Sequence, residues 1–324
     1  MSSSTLSARL HSLLTRSAIA GCVLWMALLF IPLTVEHSMA EVAMVLLLGI
    51  LVVIPLALDL LADSESKPSL LYRVASDLQP IGAVLAAVSF FFHEGIGAAV
   101  LTAPWLLFSL VVAVEGIRRF RVRFTERRLS VASAVTNIGF LGLPAGTVWL
   151  VLSRLGYDPG SFGELMVLLT AVHFHFAAFV APIWVGFLGQ EILQRKPALY
   201  PAFRILAIGL VAGVPLVAAG IAVSSLVETA GVFVLAVSGI GLGVLGLILA
   251  PVFADRRGHL MLWVSSAALC VAMIWALVFS LGPRFDWPSP DIIGMIPRHG
   301  WIQGVGFALV GMLAWRKLHV KCHC

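Results

Sequence analysis

Charged residues are scarce in this chain of 324 residues, since aspartate, glutamate, lysine and arginine make up only 11% of it. A typical soluble domain holds about a quarter. Hydrophobic residues make up 60%, and the mean hydropathy is +1.03. This composition excludes a soluble globular protein and a disordered chain, because both need far more polar residues. Cysteines number only four, too few to staple a chain of this length, which excludes a disulfide scaffold.

The sequence also lacks the motifs of several function classes. No glycine-rich phosphate loop opens a helix, which argues against ATP-driven chemistry. No nucleic-acid-binding motif is present, although the net charge is +5. Neither a Ser/His/Asp arrangement nor a pair of catalytic carboxylates can be assembled. These absences favour a protein that is not an enzyme, and they leave that question open.

Long apolar runs dominate what is present. A run of about 18 or more such residues predicts a spanning helix, because lipid offers no partner to backbone polar groups and a helix satisfies them internally. The sequence predicts an all-α transmembrane helix bundle, a single integral membrane domain over 1–324. Its ten predicted helices are 17–35, 39–61, 75–92, 96–116, 130–152, 163–188, 203–226, 229–253, 259–281 and 301–317.

Lysines and arginines assign an orientation to these helices, because cytoplasmic loops hold most of them. With the N-terminus inside, 18 of the 21 fall on the cytoplasmic side, and only Arg154, Arg284 and Arg298 fall on the other. We therefore expect a multi-pass protein of the cell (inner) membrane with both termini in the cytoplasm. Residues 38–40 resemble a signal-peptide cleavage site, but the apolar run before them is too long for a signal peptide, so we expect the first helix to be retained.

Six arginines lie in RRFRVRFTERR, between the fourth and fifth helices. We predict that this Arg118–Arg128 loop contacts anionic headgroups of the lipid bilayer, which attract each basic residue by about 1 kcal/mol. A role as topology determinant alone is the alternative. Asp59 and Glu115 lie near cytoplasmic helix ends, and we expect both side chains to reach the interface.

The sixth helix, LLTAVHFHFAAFVAPIWVG, carries two histidines at membrane depth. His173 and His175 lie about 15 Å from its outer end at 1.5 Å per residue, close to the midplane, where polar groups are costly and mark candidate functional sites. At about 100° per residue the two imidazoles point about 200° apart, so they cannot chelate one metal on a regular helix. Either they form a functional site, or both are neutral and hydrogen-bond neighbouring helices.

Prolines and glycines interrupt the helices around these histidines. Pro182 removes a backbone donor and permits a kink or hinge just below them. In the fifth helix, NIGFLGLPAG places Asn137 and Pro144 among glycines. This pattern permits a discontinuous helix, although close packing is the preferred interpretation. Gly239 and Gly243 form a GxxxG pair in the eighth helix, which predicts close helix packing.

A second polar motif, MIPRHGWIQGVGF, opens the tenth helix. We predict Arg298 and His299 at its outer mouth and Gln303 one turn deeper. The prolines before this motif permit irregular backbone, which is tolerated at membrane depth only against protein or a watery cavity. We therefore expect a cavity that opens outward and is floored by His173 or His175.

Two function classes use these residues differently. The leading hypothesis is a secondary transporter or permease for an unknown small molecule or ion. Its proton-relay or substrate residues are His173, His175, His299 and Gln303, and its accessory residues are His93, Glu94, Asn137 and Arg298. The alternative is a membrane-embedded redox protein that binds haem or a transition metal through His173, His175 and His299. The third hypothesis is a non-catalytic component of a membrane assembly.

The two histidine motifs resemble those of the YndJ-like integral membrane proteins of bacteria, which pair an HFHYAGF-type segment with a late HGxxNAxGF-type segment. Matching residues are His173, Phe174, His175, Ala177 and Phe179 in the first, and His299, Gly300, Gly306 and Phe307 in the second. Phe176 lacks the tyrosine hydroxyl of the pattern, Ala178 replaces glycine, and Gln303 with Gly304 replaces Asn-Ala but keeps an amide. The family is sometimes labelled a transporter. The resemblance implies that the two motifs act together, and it implies no defined reaction.

Overall fold

The computed structural model describes the backbone of residues 3–62 and 68–319, and the side chains of 10–62 and 68–319. Ten helical segments follow one another in these residues. They are α1 (Ser3–Leu28), α2 (His37–Leu61), α3 (Leu70–Val88), α4 (Ile96–Thr125), α5 (Val131–Leu155), α6 (Glu164–Arg195), α7 (Tyr200–Val223), α8 (Ser225–Leu249), α9 (Arg256–Phe285) and α10, composed of Ile292–Met295, Ile296–Leu309 and Val310–His319. Within the described ranges, α1 to α9 are long and apolar enough to cross a membrane. The chain is an all-α helix bundle, as predicted.

Several helix bounds differ from the sequence prediction: α1 begins at Ser3 rather than at 17, α6 continues to Arg195 rather than ending at 188, and α10 begins at Ile292 rather than at 301. Two further ends have a clear physical reason. α1 ends at Leu28 rather than at 35, because Pro32 cannot continue a helix and restricts the residue before it. α4 continues to Thr125 rather than ending at 116, because arginines are good helix formers. Most of the predicted Arg118–Arg128 loop is therefore helix.

Asp59 and Glu115 do not reach the interface, so that expectation was wrong. Asp59 is 2% exposed and Glu115 is 1% exposed. The Asp59 carboxylate lies 2.8 Å from His11 Nδ1. Glu115 accepts hydrogen bonds from Arg118 Nε at 2.8 Å and from Arg119 Nε at 2.7 Å. Because these donors offset the loss of water, both carboxylates remain buried among helices.

Three helices contain π-helical segments, at Gly49–Val53 in α2, Phe176–Val180 in α6 and Ile296–Leu309 in α10. In the first two, the helical stretch that follows has proline as its second residue, Pro55 and Pro182. Proline has no N–H, and its ring crowds the carbonyl four residues earlier, which favours a wider turn with i→i−5 hydrogen bonds. The distortion predicted at Pro182 is thus a π turn.

The described residues form two compact units. The first unit contains residues 1–122 and 139–180, and the second contains 123–138 and 181–324. In the first unit, α2 packs against α1, α3 and the first half of α6, and 94% of its most apolar stretch is buried. A helix that is apolar all round belongs in such a core. The single domain expected from the sequence stays a prediction.

In the first unit, glycines allow α5 to approach α6 closely. A Cβ atom added at Gly142 would lie 2.4 Å from the carbonyl oxygen of Ala178, and one at Gly146 would lie 2.6 Å from Nδ1 of His175. α5 runs without interruption through Pro144. The close-packing interpretation of this segment is confirmed, and the discontinuous-helix interpretation is wrong.

In the second unit, α8 packs against α7 and α9, and α9 packs against α10. The GxxxG pair of α8 faces α9, as close packing requires. A Cβ atom at Gly243 would lie 2.8 Å from the carbonyl oxygen of Ser266, and one at Gly239 would lie 2.7 Å from Cγ of Met273.

We expect Gly142→Ala to lower the unfolding temperature of the purified protein in detergent. The added methyl group would overlap the backbone of Ala178, and overpacking of this kind costs about 1 to 3 kcal/mol. Gly97→Ala is the matched control, because a Cβ atom at that helical glycine meets nothing within 4 Å. An unfolding temperature of Gly142→Ala at or above that of the wild type would contradict the close contact between α5 and α6.

Candidate functional site

The two histidines of α6, which the sequence predicts near the midplane, have different surroundings. His175 is fully buried, whereas His173 is exposed. Both belong to the α-helical stretch Glu164–His175, directly before the π turn. The regular helix turns their side chains to different sides, as their spacing predicts.

Both ring nitrogens of His175 have hydrogen-bond partners. The indole Nε1 of Trp105 lies 3.1 Å from Nε2, and the carbonyl oxygen of Ala171 lies 2.8 Å from Nδ1. An indole N–H only donates and a carbonyl only accepts, so Nε2 is the acceptor and Nδ1 carries the hydrogen. His175 is therefore a neutral imidazole that joins α4 to α6, which supports the helix-joining alternative for this residue.

His173 uses the same nitrogen for its own helix. Its Nδ1 donates to the carbonyl oxygen of Leu169 at 2.7 Å, so the neutral ring carries its hydrogen on Nδ1. Soon after His173 in the sequence, Phe176 begins the π turn of α6, which contacts the π turn of α2. There, a Cβ atom added at Gly49 would lie 3.0 Å from the ring of Phe176. The first unit thus combines a titratable side chain with irregular backbone at membrane depth.

A buried arginine lies at the predicted outer end of the first unit. Arg154, in the last turn of α5, is 0% exposed. Its Nη2 donates to the carbonyl oxygen of Phe92 at 2.8 Å, and its Nη1 lies 3.7 Å from Oε1 of Glu94. Its Nε has no hydrogen-bond partner among the described residues. Arg154 was assigned to no site from the sequence. Its place on the predicted outer side, where lysine and arginine are rare, could have marked it as a candidate site residue.

Glu94 lies between this arginine and a second carboxylate. Burial and repulsion from Glu164 raise the pKa of Glu94 above its usual range, while attraction to Arg154 acts in the opposite direction. The Glu94 side chain is 26% exposed, so water reaches it. His93, the neighbouring accessory candidate, is exposed in the loop before α4.

The second histidine motif lies within the π-helical part of α10. His299 donates from Nδ1 to the carbonyl oxygen of Ala272 in α9 at 2.9 Å. Arg298 is exposed, donates to the carbonyl oxygen of Gly294 at 2.9 Å, and lies 5.5 Å from the ring centroid of Trp275. Glycine allows close packing here, since a Cβ atom at Gly306 would lie 2.9 Å from Cβ of Ala268 in α9.

Two amide side chains of the second unit remain available for hydrogen bonding. Gln303 is half-buried and makes no hydrogen bond within the described part of the chain. Asn137 is 4% exposed, and its Nδ2 has no partner there. An unpaired buried amide calls for an explanation, and an unrecorded water or ligand is one.

The candidate residues divide between the two units. His93, Glu94, His173 and His175 belong to the first, and Asn137, Arg298, His299 and Gln303 belong to the second. The contacts given above for each group join residues of the same unit. The joint action of the two histidine motifs, and the outward-opening cavity, stay predictions.

The hydrogen bonds also restrict which histidines suit a metal or haem iron. A ligating histidine typically donates one ring N–H to a carbonyl and binds metal with the other nitrogen. His173 and His299 have this arrangement, whereas Nε2 of His175 already accepts the indole N–H of Trp105. Among the described residues, no three His, Cys, Asp or Glu side chains come together as a metal site would require.

Comparisons with known proteins agree with the resemblance of the motifs. The model of a family described as YndJ-like protein matches residues 44–307, most of the chain. The uncharacterized membrane protein YndJ of Bacillus subtilis (strain 168) is 27% identical over 239 residues, which cover 73% of this chain and 41% of that relative. The matched region thus spans well under half the length of the curated relative. No solved structure matches.

We expect Trp105→Phe to lower the unfolding temperature in detergent, because it leaves Nε2 of the buried His175 without a donor. An unsatisfied buried acceptor costs about 1 to 3 kcal/mol. Trp263→Phe is the control, since Trp263 is 47% exposed. The double variant Trp105→Phe with His175→Leu should lose less stability than the two single variants together, because both polar partners are then gone. Strictly additive losses would count against the hydrogen bond.

Proposed function

The chain belongs to the YndJ-like protein family, and from that premise we propose that it is a secondary transporter of the cell (inner) membrane. His173 of α6 and His299 with Gln303 of α10 serve as its proton-relay or substrate residues. His175 joins α4 to α6 and positions the helix that carries His173.

The coincidence of polar residues with π-helical backbone supports this proposal most directly. The π turn Phe176–Val180 directly follows the histidine pair of α6, and the π segment Ile296–Leu309 contains His299 and Gln303. π turns occur frequently at functional sites. Transporters bind substrates and ions where spanning helices depart from regular α-helix near the midplane.

The two exposed or half-buried histidines suit a proton relay because neutral and charged imidazole interconvert near physiological pH. His173 is exposed and His299 is half-buried. In both residues Nδ1 donates to a backbone carbonyl oxygen, and this hydrogen bond fixes the orientation of the ring. At the predicted outer end, Glu94 and Arg154 add charged groups that water reaches through Glu94.

Transport is tested with the full chain in proteoliposomes that contain a pH-sensitive dye. Small carboxylates, amino acids, phosphate, sugars and monovalent cations are supplied outside in turn. We expect one class to drive proton movement, and we expect His173→Ala and His299→Ala to slow it by about tenfold or more, as for loss of a proton-transfer group. His37→Ala is the control, since the side chain of His37 is 96% exposed and lies outside the proposed site. Full rates in both histidine variants would overturn their assignment, and an inactive wild type across the panel would count against transport.

A metal- or haem-binding redox protein is the second candidate. The observation that favours it is the Nδ1-to-carbonyl hydrogen bond of His173 and of His299, because a metal-ligating imidazole is typically oriented in this way. It is tested by a visible spectrum and metal analysis of purified wild type, His173→Ala, His299→Ala and the His37→Ala control. Stoichiometric metal or haem that is lost only with His173 or His299 would replace transport as the leading function. Equal metal content in all four proteins would remove this candidate.

We further propose that the cytoplasmic end of α4 contacts anionic headgroups. Arg121, Arg127 and Arg128 are exposed there, and the apolar side chain of Phe124 beside them is 66% exposed. Arg119 takes no part in such contacts, because it is buried against Glu115.

A further inference from the structure

Arg154 holds a positive charge in the interior of the first unit and has few partners there. Its side chain is 0% exposed, and its guanidinium lies over the ring of Phe90, 4.8 Å from the centroid. Nη2 donates to the carbonyl oxygen of Phe92. Nε and Nη1, which carry most of the N–H donors, have no hydrogen-bond partner among the described residues. Unpaired donors on a buried charge are costly, so this guanidinium is suited to bind a further anionic group.

The carboxylate that faces this arginine is held loosely. Oε1 of Glu94 lies 3.7 Å from the arginine Nη1, which is beyond hydrogen-bond distance, and the Glu94 carboxylate accepts no hydrogen bond from the described residues. Other arginines bond their carboxylates directly, with Nε of Arg119 2.7 Å from Glu115 and Nε of Arg195 2.6 Å from Glu191. The Glu94 side chain is also 26% exposed. It can therefore turn toward water and leave the guanidinium to another anion.

Among the described residues, two charged groups act on Glu94, and they have opposite signs. Arg154 of α5 attracts its carboxylate, and Glu164 at the start of α6 repels it. Burial is the largest effect, and together with the repulsion it raises the pKa of Glu94 above its usual range. His93, the neighbour in the same loop, is exposed. Glu94 thus binds a proton at a higher pH than an ordinary carboxylate does.

We propose that Arg154 is a binding site for a small monovalent carboxylate, which exchanges there with the side chain of Glu94. The ligand carboxylate accepts hydrogen bonds from the unpaired N–H groups of the guanidinium, and the displaced Glu94 carboxylate binds one proton from water. The net charge of arginine, glutamate and ligand together then equals that of the arginine and glutamate alone.

The surroundings of the guanidinium select this class of ligand. A guanidinium binds a carboxylate well because its planar N–H groups match the two carboxylate oxygens. The ring of Phe90 covers one face of the guanidinium, which leaves its N–H edges for such a planar contact. Glu164 adds a negative charge nearby, which disfavours a ligand with two charges. That this is the outer site of a carboxylate carried together with a proton rests on the proposed function.

Binding of formate to the full chain in nanodiscs, measured by saturation-transfer NMR, tests the proposal. Formamide is the matched probe, because it has nearly the same size and no charge, and we expect it not to bind. Formate remains ionised between about pH 5 and 8, the range in which buried glutamates titrate. We expect its dissociation constant to rise by up to about tenfold for each pH unit above the pKa of Glu94, because the fraction of protein with a protonated Glu94 falls in that proportion.

Glu94→Gln gives the sharpest result, because glutamine has the shape of a protonated glutamate and carries no charge. We expect this variant to bind formate at least about threefold more tightly than the wild type near the alkaline end of the range, and without dependence on pH. Glu36→Gln, which removes an exposed carboxylate on the same predicted side of the membrane, should bind formate as the wild type does. Arg154→Gln should lose formate binding.

A wild type that binds no formate, or binds formamide equally well, would overturn the proposal. So would an unchanged affinity in Glu94→Gln, or the same gain in Glu36→Gln, which would indicate a general effect of surface charge. If Arg154→Gln does not fold, the comparison of Glu94→Gln with Glu36→Gln decides. The measurement needs no transport, so the two proposals fail separately: formate binding in a protein that transports nothing would keep the site and remove the transporter.

Discussion

Polar groups inside a membrane must find their partners within the protein, and much of this structure follows from that constraint. His173, His175 and His299 each donate Nδ1–H to a backbone carbonyl. The buried Gln79 accepts a hydrogen bond from Ser17 and donates to the carbonyl oxygen of Ile50, in the π turn of α2. Prolines that remove a backbone donor are accommodated by wider turns. Where a buried polar atom finds no hydrogen-bond partner in the described part of the chain, as at Nε of Arg154 and Nδ2 of Asn137, the residue becomes a candidate for binding a ligand.

The helices were predictable because the signal for them is local. A long apolar run specifies a spanning helix by itself. The glycine pairs of α5 and α8 indicated close contacts because small residues let helix backbones approach each other. The partners of the polar residues were not predictable, because they come from distant parts of the chain. Trp105 lies 70 positions from His175, and His11 lies 48 positions from Asp59. The helix predictions also assumed a regular turn of about 100° per residue, so they did not include the π turns, although Pro182 indicated a distortion.

From the sequence, the two histidines of α6 have the same candidate roles. Their hydrogen bonds give them different roles. Burial, a donor at Nε2 and an acceptor at Nδ1 make His175 a connecting residue between helices, whereas the exposed His173 is the proposed proton-relay residue. The neighbours of each histidine thus decide its role more than its predicted depth in the membrane does.

The π turn in α6 has a consequence for comparing this chain with its relatives. A π turn holds one residue more than an α turn, so residues beyond it are rotated by about 100° relative to a continuous α-helix. Helical-wheel diagrams drawn across Phe176–Val180 therefore assign the wrong face to every residue on one side. A relative without the extra residue would align with a one-residue gap near this segment. Such gaps, mapped across many sequences, would trace where the π turn has been kept or lost.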